Sequence, residues 1–186
     1  MFGERWRRCR SYLRWWTRFR LHLWSLLAAL RMGAALLRLW RSAQVAWIGT
    51  RFLASHEATI HPRYRERLLQ ANENDTVFLE NLFDIHWPNA PHRVLRNQTV
   101  EAWEAAGRPP SGKRPGEGEV IATSRANRPI VRYQSYTPGT DAEGDIDALS
   151  LWAGQSVGLV AKLQSAADIV REIADEARMI LQRLAQ

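Results

Sequence analysis

Residue 42 divides this chain into two stretches of foreign composition. Residues 1–41 carry ten arginines against a single acid, Glu4. They also hold five of the nine tryptophans and no Lys, Asp, Pro or Asn. The other 145 residues hold sixteen Lys or Arg against eighteen Asp or Glu, so the whole formal excess of +7 lies in the first segment. A basic excess spread over a surface would point to nucleic acid or an anionic membrane. Confined to one end, it says nothing about the chemistry of the rest. Two regions follow: a basic Arg/Trp/Leu-rich segment, 1–41, and a compositionally ordinary one, 42–186.

Leu21 to Trp40 is rich in leucine and alanine, good helix-forming material, so the basic segment is expected to be helical. Three readings of it stay open. A membrane span needs about 20 apolar residues, and His22, Arg31 and Arg38 count against one. A basic helix lying on a membrane surface or contacting nucleic acid would suit arginine interleaved with tryptophan, because arginine pairs with phosphate and tryptophan settles at interfaces. The third is translation of GC-rich DNA in a wrong frame, which yields Arg, Trp, Leu and Ala with few Lys, Asn or acids. A secretory signal fits poorly, since the basic stretch before the apolar run is too long.

Beyond residue 42, an apolar run at 45–48 reads as a buried strand, broken by Gly49-Thr50, and 51–55 reads as the start of a helix. A Gly-Thr turn between strand and helix can hold a phosphate, because glycine admits close approach and the amides favour an anion. An ordinary strand-to-helix turn carries the same pattern. Residues 62–71 read as a helix with Tyr64, Leu68 and Leu69 inward and Arg63, Arg65, Glu66 and Arg67 on a solvated face. Residues 76–82 are a strand or an edge element, 87–91 a proline-cut loop, and 97–106 a helix turning Val100 and Trp103 inward.

Three prolines and four glycines among residues 107–118 read as a flexible connector. Residues 120–123 and 130–133 read as a β-hairpin. Asp141, Glu143, Asp145 and Asp147 lack the Ca²⁺-loop pattern and read as a solvated loop ending in a helix cap. Helix is expected from 147 or 150 onward. In 166–184, Ile169, Ile173, Ala177 and Ile180 form one apolar stripe.

Five histidines (His22, His56, His61, His86 and His92) supply the obvious general bases. None has metal-ligand spacing to other ligands, and no nucleophile motif accompanies them. Each reads as a surface or cap residue, and no catalytic or metal residue is assigned. The lone Cys9 excludes an internal disulfide framework and is compatible with a cytoplasmic setting.

Ala43 to Ser55, with Glu57 and Ala58, resembles the last barrel strand of the nitronate monooxygenase (2-nitropropane dioxygenase) family. The likeness continues in order through His61-Pro62-Arg63-Tyr64, Asp75-Thr76-Val77-Phe78, Arg93-Val94-Leu95-Arg96-Asn97, Trp103-Glu104-Ala105-Ala106-Gly107 and Leu151-Trp152-Ala153-Gly154-Gln155-Ser156-Val157-Gly158-Leu159. It covers about residues 42–184. These are TIM-barrel flavoproteins, and FMN-using enoyl reductases are relatives.

The resemblance implies an α/β fold. It would be the C-terminal fragment of a TIM-barrel flavoprotein, one last barrel strand with a mostly helical tail and a small β-hairpin. It implies an FMN-dependent oxidoreductase acting on alkyl nitronates with O₂. Trp47, Ile48, Gly49 and Thr50 would approach the FMN phosphate and ring edge, Thr50 through amide and hydroxyl, and Gln155 would stand near the active-site mouth or brace the C-terminal helix. The family's histidine base, on an earlier strand in a glycine-rich motif, has no counterpart among the five histidines. Seven of eight barrel strands are missing, so 42–186 is expected not to form a working flavin site alone. The alternative is a non-enzymatic binder of membrane surface or nucleic acid through residues 1–41, with no specific nucleic acid expected. Oligomeric state is not legible.

Overall fold

A computed structural model describes residues 48–124 and 126–184. The basic segment 1–41, Trp47 and all but the last residue of the expected strand 45–48 lie outside the described residues; Ile48 itself has no regular structure. Two units divide the chain. The larger, Trp47–Glu172, holds every element below except the part of the last helix beyond Glu172.

In order these are α1 (Thr50–Leu53), α2 (Pro62–Gln70), β1 (Thr76–Leu79), β2 (His92–Leu95), α3 (Gln98–Ala105), β3 (Val120–Thr123), β4 (Pro129–Val131), β5 (Glu143–Gly144) and α4 (Ala166–Leu184). Single 3₁₀ turns lie at Glu73–Asp75, Ile146–Ala148 and Gln155–Leu159. The architecture is mixed α/β, with more strand than the mostly helical tail expected.

The three longer helices begin where side chains take over the unpaired amides. His61 Nδ1 accepts from Arg63 N at 3.0 Å, with Pro62 opening α2. Asn97 Oδ1 accepts from Val100 N at 3.1 Å above α3. Ser165 Oγ accepts from Asp168 N at 3.0 Å, and Glu57 takes Ala166 N at 2.9 Å, so α4 has two caps. α3 stops in a Schellman turn: Arg108 N donates to Trp103 O at 2.9 Å and Gly107 N to Glu104 O at 3.0 Å. Gly107 sits at φ +80°, where a side chain would be strained.

β1 and β2 are antiparallel, Thr76 opposite Leu95 and Leu79 opposite His92. On the other side of β2 runs a strap, residues 148–154, extended from Leu149 onward, where helix was expected. Leu95 N donates to Leu151 O at 2.8 Å and Ala153 N to Arg93 O at 3.1 Å, so the strap pairs like a third strand. Residues 148–151 are all buried, as in a strand covered on both faces, and only Trp152 and Gly154 are partly exposed.

Side chains from several elements pin the strap's backbone. Thr99 donates to Ala148 O at 2.7 Å and Asn97 Nδ2 to Leu149 O at 2.7 Å. The Tyr64 hydroxyl donates to Trp152 O. Ser150 Oγ, itself buried, accepts from Tyr136 N at 3.1 Å. With those bonds available, the strap has no need of a helix's internal ladder.

The second sheet has the order β4-β3-β5, so the expected hairpin is present and gains a strand from the acidic loop. β5 can lie against β3 because Gly144 has no Cβ. At φ +124° a methyl there would stand 2.6 Å from Ile121 O and 2.7 Å from Ala122 Cα. Asp147 takes Arg63 at 2.9 Å and Arg67 at 3.3 Å, so the charged face of α2 is partly a tie to this loop rather than solvated throughout.

The stretch 107–118 is not a loose connector. Arg114 lies buried within it, and its guanidinium donates to Leu82 O and Asn81 O, both at 3.0 Å, and to both oxygens of Asp84, at 2.7 and 2.8 Å. The Tyr133 hydroxyl donates to Pro115 O at 2.8 Å, and Trp103 Nε1 to Pro109 O at 2.9 Å. Two apolar clusters fill the interior. Tyr64, Leu68, Leu95, Leu149 and Leu151 belong to one, and Leu79, Leu82, Phe83, Val94, Val100 and Tyr133 form the other.

Candidate functional site

The Gly-Thr turn and the Ala-Gly-Gln motif lie about a hundred residues apart in sequence, and one hydrogen bond joins them. Gly154 N donates to Thr50 Oγ1 at 2.9 Å. The Tyr64 hydroxyl holds the strap at Trp152, and its last residue meets the start of α1. Gln155 follows at once, opening a 3₁₀ turn, and is half-buried with no side-chain hydrogen bond among the described residues.

Gly49 is the cap of α1, and its φ of −109° asks nothing special of glycine. Its use is spatial, because a Cβ built there meets no atom of the described residues within 4 Å and the residue is exposed. The backbone at Gly49 is therefore open to an approaching anion. Thr50 keeps its hydroxyl proton for donation outward while the oxygen accepts from Gly154. α1 is a single turn, so its dipole is small and individual donors matter more than the helix does. Ile48 is half-buried beside them, and Trp47 lies outside the described residues.

Arg51, the cation next to the turn, has a side chain only 5% exposed. It donates to Lys162 O at 3.3 Å and to Gln164 Oε1, with Glu172 at 4.0 Å. Glu172 in turn accepts from Gln164 at 2.8 Å and Lys162 at 3.1 Å; these contacts, the Gln164 hydrogen bond foremost, hold its carboxyl below the usual range. Burial beneath the strap pushes the Tyr64 hydroxyl the other way, upward, so it serves as a neutral donor.

The histidines divide. His61 is a cap, as expected. His92 is not a surface or cap residue: its ring packs edge-on to Trp152 at 5.0 Å and 6.0 Å from Phe83. Its Nε2 accepts from Phe83 N at 3.4 Å while Nδ1 lies 2.8 Å from Ala90 O, which makes Nδ1 the protonated nitrogen. No group of three His, Cys, Asp or Glu could hold a metal among the described residues. Nor is any described helix long and apolar enough to cross a membrane. Sequence reasoning missed Arg51 and Tyr64 as supports of the turn and strap; only Tyr64's inward phase on α2 signalled one of them.

The fold is mixed α/β, with an exposed Gly-Thr turn tied through Gly154 to the end of the strap. The nitronate monooxygenase family model matches residues 28–176, and the chain belongs to that family. The matched span begins inside the basic segment. A nitronate monooxygenase of Metarhizium robertsii, npaC, is 32% identical over 162 residues, covering 83% of this chain and 38% of the relative. A Bacillus subtilis protein described as "Probable nitronate monooxygenase" is 26% identical over 136 residues, covering 72% of this chain and 33% of its own length. The chain thus spans about a third of the length of the curated relatives it matches. In fold it is similar to FabK from Thermotoga maritima, with a TM-score of 0.57 and 24% identity over 84% of this chain and 44% of the other.

Proposed function

We propose that these residues are the C-terminal part of a cytoplasmic, FMN-dependent nitronate monooxygenase that oxidises alkyl nitronates with O₂. The observation carrying this is the Thr50–Gly154 bond, which joins the turn that family resemblance assigns to the FMN phosphate to the Ala-Gly-Gln motif. Bound FMN would supply the redox chemistry. The fit to this chain is local. Gly49 leaves room for a phosphate oxygen at its backbone, and Thr50 has a proton to give it. Trp47 and Ile48 would line the same edge, and Gln155 would face the mouth. No described residue occupies the context of the family's base, so on this reading the 186 residues lack catalytic competence by themselves.

The test is a titration of the purified chain with FMN, followed by flavin fluorescence, together with O₂ uptake on an alkyl nitronate. The expected result is FMN binding at high micromolar to millimolar concentration with no turnover. Turnover would refute the incomplete-site reading. Absence of any binding at millimolar FMN would refute the flavin reading for this chain.

A further inference from the structure

An arginine following a Gly-Thr turn invites the reading that it binds the phosphate. The structure turns it elsewhere. The Arg51 guanidinium is buried, and its partners are Lys162 O, Gln164 Oε1 and Glu172, all on the segment that leads into and begins α4. Other bonds join the same two stretches. Gln164 N donates to Ala54 O at 3.2 Å, His56 N to Gln164 O at 2.9 Å, and Ala166 N to the Glu57 carboxylate. Residues 51–57 are thereby bolted to 162–172, one residue beyond the turn.

We propose that Arg51 is a positioning residue for the Gly49-Thr50 turn, acting by bracing α1 against residues 162–172 rather than by touching the anion. This rests on the functional reading above. Arg51 sits one residue after Thr50, and α1 is too short to hold its own geometry by helix cooperativity. A buried guanidinium with acceptors on the facing segment supplies what four helical residues cannot. Lysine does not substitute, because one ammonium on a flexible stem cannot reproduce the planar fork that spans the Lys162 carbonyl and the Gln164 amide oxygen.

Hydrogen exchange read by mass spectrometry tests the brace without any flavin. In R51M, amides of residues 50–56 should exchange about tenfold faster while those of 92–100 change less than about twofold, the mark of a local rather than global opening. R51K should give no recovery. If R51M does not fold, Q164A serves, since Gln164 is half-buried and its loss should loosen the same amides by a smaller factor. Unchanged exchange at 50–56 in the folded variants, or equal acceleration throughout, overturns the brace. In parallel titrations R51M should weaken FMN about tenfold, or 1.4 kcal/mol, and riboflavin, which lacks the phosphate, less than about twofold. Equal weakening of both overturns the positioning role even if the brace stands. A parent chain that binds no FMN overturns the functional reading instead.

Discussion

Replacing Arg114 by methionine is the perturbation whose cost follows most directly from the structure. The side chain is 2% exposed and makes four hydrogen bonds, two to backbone carbonyls and two to the Asp84 carboxylate, whose own side chain is 17% exposed. Its guanidinium also lies 5.2 Å from the centre of the Tyr133 ring. Methionine fills most of the volume and makes none of the bonds. Removing one partner of a buried ion pair costs about 3–5 kcal/mol. Asp84 is near enough to water to recover part of that. Two stranded carbonyls add about 1 kcal/mol each at most, and these costs overlap rather than sum. The expected loss is about 3–4 kcal/mol, read from urea unfolding by far-UV circular dichroism. In the double variant R114M/D84N much of the loss should return, because the orphaned carboxylate is what remains costly. A loss in R114M below about 1 kcal/mol, within the range of an exposed pair, would show that 107–118 is the slack connector its composition suggests.

Four smaller outcomes follow from the same contacts. Gly144→Ala should destabilise by about 2 kcal/mol or more, because the new methyl meets backbone atoms and the φ of +124° is strained for alanine; thermal unfolding reads it. Tyr64→Phe removes the donor to the Trp152 carbonyl and should cost about 1–2 kcal/mol with little change in packing volume. Thr50→Val leaves Gly154 N without its acceptor and should cost about 1 kcal/mol while abolishing any preference for FMN over riboflavin. Acid should weaken the fold through Glu104, which hydrogen bonding from Arg96 first, and then Arg108, holds below the usual carboxylate range. A depressed carboxyl contributes fully above its unfolded value of about 4.3 and loses that contribution as pH falls through the folded one. Unfolding midpoints measured downward from pH 5 should therefore fall less steeply in E104Q than in the parent.

Where periodicity and capping chemistry coincide, the sequence was readable. α4 occupies 166–184 as expected because Ser165 and Asp168 mark its start and its apolar stripe begins with fully buried Ile169. α2 and α3 were legible for the same reason, through Pro62 and Asn97. β2 was not, because His92 and Arg93 break any apolar alternation; the strand exists through its partners on both sides. The strap at 148–154 read as helix since nothing local revealed that Thr99, Asn97, Tyr64 and Thr50 would take its backbone groups. Composition also misled at 107–118, where the glycines and prolines shape a loop around one buried arginine. Of the candidate site, Gly49 and Thr50 were legible as a turn, but their meeting with Gly154 is a long-range contact that no window of sequence contains.

Amide NMR of the ¹⁵N-labelled chain, titrated with FMN and separately with riboflavin, tests the Gly49-Thr50 turn as a phosphate site. The amides of Gly49, Thr50 and Gly154 should shift with FMN and stay within error with riboflavin. Shifts confined to other residues, or the same shifts with riboflavin, would contradict a phosphate site at this turn.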